Sequence, residues 1–158
     1  MLRPILIILL LWPVISCHQS SLLSKEEQRS LADSVRQALH NYYNAINSSG
    51  LIAELPYLDS SDEFFWVPPG YSSPISYDSV IAFIKQNAPH FTKINNTWDS
   101  LRIIPLTTEL VSYTGKIHSA MTDTSGKTSS YSLIETGLVI KRKNGWKLYN
   151  GQTAILTE

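Results

Sequence analysis

One cysteine, Cys17, stands in the 158 residues, so no disulfide can form within the chain and stability has to come from packing. Charge of one sign never gathers: 13 basic and 13 acidic residues are spread without a run. A chain without a broad basic face cannot neutralise a row of phosphates, which argues against a nucleic-acid partner, and it offers no polybasic patch to an anionic membrane. There is no phosphate-cradling glycine loop, no serine-centred nucleophile elbow and no dinucleotide fingerprint. No pair among the His, Asp and Glu residues has metal-ligand spacing, so neither a metal nor a cofactor is expected. Long apolar runs are missing too, apart from one near the N-terminus.

That run, Ile5 to Ile15, follows a single basic residue, Arg3. Eleven residues are too few to cross roughly 30 Å of hydrocarbon as a helix, whereas a positive start and a short apolar run are the layout of a secretory signal. Val14, Ile15, Ser16 and Cys17 resemble a bacterial lipobox, which implies cleavage before Cys17 and a lipid on its thiol. A plain cleaved signal with an incidental cysteine is the alternative. The expected organisation is a signal over 1–16, a lipidated tether over 17–23 and one domain over 24–158, held at the bacterial cell envelope by the lipid. Removing Arg3 leaves 12 basic against 13 acidic residues, and 142 residues suffice to bury roughly two-thirds of the unfolded surface.

Ser24 and Glu27 form an S-x-x-E capping box. Behind it Leu31, Val35, Ala38, Leu39, Tyr42 and Ile46 recur at helical period, which predicts a long first helix ended by Asn47-Ser48-Ser49-Gly50. A short helix over Leu51–Tyr57 follows. Glu63–Val67 reads as a strand stopped by Pro68-Pro69-Gly70, and Ser76 caps a helix carrying Val80, Phe83, Ile84 and Asn87. From Ser100 the period changes. Ser100–Pro105, Glu109–Thr122, Ser129–Arg142 and Trp146–Leu156 are rich in β-branched and aromatic residues and predict an antiparallel meander.

The segment Leu138-Val139-Ile140-Lys141-Arg142-Lys143-Asn144-Gly145-Trp146-Lys147-Leu148 resembles the closing hairpin of the nuclear transport factor 2-like superfamily, especially its SnoaL-like branch. Glu63-Phe64-Phe65-Trp66-Val67-Pro68-Pro69-Gly70 resembles that family's first strand and the loop after it. The resemblance implies an α+β cone, a curved antiparallel sheet around about three helices with a cavity between them. It also implies, for enzymes of the branch, an acid or base in the cavity. Where SnoaL-like proteins often carry His six residues after the Trp, this chain has Gln152, which cannot titrate.

Strand parity predicts the inward faces. Trp146, Leu148, Asn150, Gln152 and Ala154 alternate with Lys147, Tyr149, Gly151, Thr153 and Ile155. The first set, with the indole and two amides, is expected inside. A three-residue Lys143-Asn144-Gly145 loop pairs Arg142 with Trp146 and leaves Glu135 outside; a two-residue Asn144-Gly145 turn puts Lys141 and Glu135 inside at greater cost. The first register is preferred, and it leaves Tyr149, Thr153, Ile155, Val139 and Gly137 as an outer patch for a homodimer.

Trp66, Tyr71, Trp98, Trp146, Asn150 and Gln152 are the expected lining of a pocket of roughly 300–1,000 Å³ for an uncharged, partly apolar ligand. The same aromatics would equally serve to fill the cone. Asp59 and His118 are the catalytic candidates, although Asp59, with Asp62, also reads as a turn residue and His118 as an exposed strand residue. Glu63 and Asp99 read as solvated; His40 and His90 suggest no site. Two functions follow. The first is a non-catalytic, membrane-tethered domain binding a small molecule or a protein; the second is an isomerase, dehydratase or cyclase using acid–base chemistry. A buried titratable residue near Trp66 discriminates in favour of the enzyme.

Overall fold

In the computed structural model, which describes residues 23–157, the Ser24–Glu27 box forms as its spacing predicts. Glu27 N–H donates to Ser24 Oγ at 3.2 Å and Ser24 N–H to Glu27 Oε2 at 2.8 Å, opening helix α1, Lys25–Ser49. The stripe along it buries Val35, Leu39, Tyr42, Tyr43 and Ile46. Gly50, at φ 77°, stops the helix, and the chain turns at once into a 3-10 helix, Leu51–Tyr57. Strands β1 (Phe65–Val67) and β2 (Ile75–Ser76) precede helix α2, Tyr77–Asn87, whose cap is Ser76. Cys17 and the segment before it lie outside the described residues, among which no helix is long and apolar enough to cross a membrane.

Four long strands form the meander: β3 (Phe91–Pro105), β4 (Leu110–Asp123), β5 (Thr128–Arg142) and β6 (Gly145–Ile155). β3 begins nine residues before the expected Ser100, because the polar Thr92-Lys93-Asn95 positions face solvent and mask the buried Ile94 between them. The sheet order is β2-β1-β6-β5-β4-β3, antiparallel except where β1 runs parallel to β6. The sheet is curved and open, with the helices packed on its concave side. Bulges at Thr92, Asp99 and Tyr149 add an extra residue to one strand each, the device that bends a strand. This is the α+β cone that the sequence predicts.

The closing hairpin departs from the expected register. Its turn holds two residues, Lys143 and Asn144, so that Arg142 pairs with Gly145 and Lys141 with Trp146. Val139, Gly137 and Glu135 therefore face inward. The cost foreseen for that arrangement is met locally: Lys141 stays exposed at the sheet end, its amine 4.9 Å over the Trp146 ring, and Glu135 finds hydroxyl partners. The Tyr149 bulge then shifts the rest of β6. Val139 opposes Leu148, but Leu138 opposes Asn150, so Gly151 and Thr153 point inward while Asn150 and Gln152 lie on the convex side. The patch assigned to a homodimer is corrected by both features: the turn register places Val139 and Gly137 in the interior, and the bulge places Thr153 there. The convex face instead presents Ile134, Leu138 and Ile140.

Small inner residues let large rings lie against the sheet. A Cβ on Gly115 would stand 2.6 Å from the Trp98 ring and one on Gly151 2.8 Å from the Trp66 ring, both inside contact distance. At the free edge of β3, Asn47 takes the place of a missing strand. Its Nδ2 donates to Asn96 O at 2.9 Å and its Oδ1 accepts from Asn96 N–H at 2.7 Å, which satisfies edge groups and fixes the end of α1 to the sheet.

Candidate functional site

The inner faces converge on Glu135, a carboxylate with 3% of its surface exposed. Tyr113, in the alternating Val111-Tyr113-Gly115-Ile117 face of β4, donates its hydroxyl to Oε1 at 2.8 Å. Tyr43, one turn after Leu39 on α1, donates to Oε2 at 2.9 Å, and Thr153 of β6 donates to the same oxygen at 3.2 Å. Trp66 extends the chain outward, its indole N–H reaching Thr153 Oγ1 at 3.1 Å. Burial pushes the Glu135 pKa upward, and the three hydroxyls, which favour the charged form, hold that rise back. The phenols of Tyr43 and Tyr113 are driven well above their ordinary range by burial and then by the Glu135 charge, so they remain neutral donors.

A second carboxyl opens on the same cavity. Glu54 sits in the 3-10 helix, a lone charge in the apolar run Leu51-Ile52-Ala53-Glu54-Leu55, and accepts one hydrogen bond, from Tyr42 at 2.8 Å. By surface area the residue is half-buried, and it borders the cavity. Desolvation pushes its pKa from 4.5 up to about 7; the Tyr42 hydroxyl opposes the rise and the Glu135 charge adds to it.

Between the two carboxyls and helix α2 lies a cavity of about 190 Å³, walled by Tyr42, Trp66, Pro68, Phe83, Met121 and Leu133 among others. It is smaller than the pocket expected from the sequence. Asn96 also borders it, and its Oδ1 is buried without a hydrogen-bond partner. An orphaned acceptor of this kind normally costs stability. Among the described residues no group of three or more His, Cys, Asp and Glu is placed to hold a metal ion.

The residues singled out from the sequence are dispersed. Trp66 lines the cavity. Trp98 is packed between Tyr43 and Tyr113, ring centroids 5.0 and 6.2 Å away, and Trp146 donates to Ser34 Oγ at 2.9 Å beside the first turns of α1. Tyr71 is exposed and meets Phe83 edge-on. Asn150 and Gln152 point away from the cone. Asp59 is buried in an ion pair: both its oxygens accept from Arg142, at 2.7 and 2.8 Å, which with the Ser61 hydroxyl holds its carboxyl below the usual carboxylate range. It borders an open outer groove of about 710 Å³ with Arg142, Lys143 and Lys147, not the cavity. Asp62, Glu63, Asp99 and His118 are exposed, His118 on the convex face opposite Ser132. Tyr43, Glu54, Asn96, Tyr113 and Thr153 are the residues that the sequence reading passed over. Glu54 carried a signal, as a single charge within an apolar run, and Tyr43 and Tyr113 lay on apolar stripes.

No family model matches this chain, and no curated protein does. Solved structures do. The chain is similar to a scytalone dehydratase candidate from Novosphingobium aromaticivorans, with a TM-score of 0.74 and 7% identity, covering 85% of this chain and 89% of that one. It is similar to a nuclear transport factor 2-like superfamily protein from Salmonella enterica at 0.69 and 12%, covering 82% and 94%. A hexachlorocyclohexane dehydrochlorinase, LinA-type3 from Novosphingobium barchaimii, matches at 0.66 and 9%, covering 85% and 92%. At these identities the likeness shows the fold, which is nuclear transport factor 2-like.

Proposed function

We propose that this domain takes a small molecule with an apolar body into the cone and moves a proton on it, with Glu54 as the acid–base group. The observation that carries the reading is one carboxyl with a single hydrogen bond and a pKa of about 7, opening onto an interior cavity. A proton-transfer group works best when its pKa lies near the working pH. Glu135 has the complementary part. Three hydroxyl donors hold its carboxyl in place beside the cavity while Glu54 exchanges its proton. The fold hosts proteins named for dehydration and dehydrochlorination, an analogy at the level of fold alone.

The non-catalytic binding domain is the second reading, and the saturation of Glu135 favours it, since a carboxylate bound by three hydroxyls also serves simply to order a pocket. Native mass spectrometry of the full chain in a neutral detergent, scanning for a retained compound, is the first step. That compound is then incubated in D2O with wild-type protein and with Glu54→Gln. Deuterium incorporation by the wild type alone supports proton transfer. A compound that binds both proteins and returns without deuterium supports binding without turnover.

Export and lipid attachment at Cys17 belong to the same proposal and are supported by the signal-like N-terminus and the lipobox resemblance. Cys17→Ala is expected to move the protein out of the membrane fraction. An unchanged membrane fraction would sink that part.

A further inference from the structure

The cavity has a one-sided polarity. Its polar lining consists of two carboxyls, the Asn96 side chain, the hydroxyl groups beside them, and aromatic rings; among the described residues no Lys, Arg or His borders it. The cations of the described residues are elsewhere. Arg142 is spent on Asp59 and Lys147 on the Pro56 carbonyl, both on the outer groove, and Lys141 lies over Trp146. A buried carboxylate without a cationic partner is an expensive arrangement. Glu135 is stabilised by hydroxyls alone, and Glu54 has a single hydroxyl.

We infer that the ligand of this cavity is a small organic ammonium ion, its charge set against Glu54 and Glu135 and its apolar body among Tyr42, Trp66 and Phe83. The inference rests on the proposed reading only as far as ligand binding inside the cone and adds the charge of the ligand. A positive group is favoured by both carboxyls and is attracted by the faces of Trp and Tyr rings. An anion would meet two carboxyls in a medium that screens poorly. A neutral molecule would offer the carboxyls no counter-charge and leave the Glu54 pKa raised. Size limits the body: about 190 Å³ compares with the roughly 150 Å³ of an apolar cavity that accepts benzene, so one ring or a short branched chain fits. The bound cation would also favour the ionised form of Glu54 and so prepare it to accept a proton.

The test uses three probes of one shape: benzylamine, benzyl alcohol and benzoate, titrated calorimetrically at pH 7 into the full chain in neutral detergent. Benzylamine is expected to bind at least about tenfold more tightly than benzyl alcohol, with no binding of benzoate. In Glu54→Gln the preference for the amine over the alcohol is expected to fall. Equal affinity for alcohol and amine, preference for benzoate, no amine binding at millimolar concentration, or an amine preference unchanged in both Glu54→Gln and Glu135→Gln would each overturn the inference. Amine binding without deuterium exchange on any ligand leaves it standing and removes the acid–base reading; exchange on a neutral substrate without amine binding does the reverse.

Discussion

Replacing Glu54 by Gln removes one titrating group while keeping an oxygen that can accept from Tyr42. The Glu54 pKa is 4.5 when exposed and about 7 in the folded chain. A carboxyl whose pKa is raised by folding binds its proton more tightly in the native state. Its contribution to stability is therefore complete below about pH 4.5 and lost as the pH climbs through about 7. At roughly 1.4 kcal/mol per pH unit, that interval corresponds to about 3 kcal/mol, or roughly 10 °C in melting temperature for a domain of this size. Asp59, Asp123 and Glu27 have lowered pKa values and act in the acid range below the ordinary carboxylate value, with the opposite sign; Glu135 adds to the Glu54 effect with the same sign. Urea unfolding of both proteins at pH 5, 6, 7 and 8 isolates Glu54. The variant should gain about 2.5 kcal/mol relative to the wild type between the two ends. Profiles that stay parallel within about 0.5 kcal/mol would refute the claim that burial loads this carboxyl.

Glu135→Gln is expected to shift the Glu54 titration to lower pH, because the Glu135 charge is one cause of its raised pKa; carboxyl chemical shifts read this directly, and an unmoved titration would show the two to be uncoupled. Gly151→Ala places a methyl group 2.8 Å from the Trp66 ring and should cost about 1–3 kcal/mol by overpacking, with a change in tryptophan emission; unchanged unfolding would mean that the ring has room. Asp59→Asn should cost about 1–2 kcal/mol at pH 7, discounted because the Arg142 side chain is 39% exposed. Its difference from wild type should vanish as acid protonates Asp59 in the wild type, and a difference that persists there would point away from the ion pair. If copies of this chain pair through the convex sheet face, Leu138→Lys should shift the sedimentation of the full chain in detergent toward the monomer; a wild type already monomeric at high concentration would end that idea.

Much of the fold was legible because local chemistry and tertiary packing agree. The Ser24 box, the α1 stripe, the Ser76 cap and the alternation through Val111, Tyr113 and Ile117 each point to the element that forms. The site was less legible, for two physical reasons. The inward face of β6 depends on a bulge at Tyr149, which no periodicity announces, so Asn150 and Gln152 were taken for lining residues and Thr153 for an outer one. Glu135 was placed outside because burying a carboxylate is costly, and that cost is offset by hydroxyls from Tyr43, Tyr113 and Thr153, contributed by three separate elements. Such a partnership is invisible until the elements are assembled. Glu54 differs: its isolation in an apolar run was readable, but the segment is short and ends at Pro56, and it drew attention only as a helix.

The bulge at Tyr149 makes the length of the last strand a chemical variable. If Tyr149 were removed, plain alternation would still send Gly151 and Thr153 inward, so the pocket would keep its carboxylate and hydroxyl character and lose only the local bend. One residue added just after Asn150 would do the opposite, setting Gln152 across from Glu135, turning Thr153 outward and taking Gly151 from beneath the Trp66 ring. One residue in β6 therefore decides whether a hydroxyl or an amide faces Glu135, with the hydrophobic pattern of the other strands untouched.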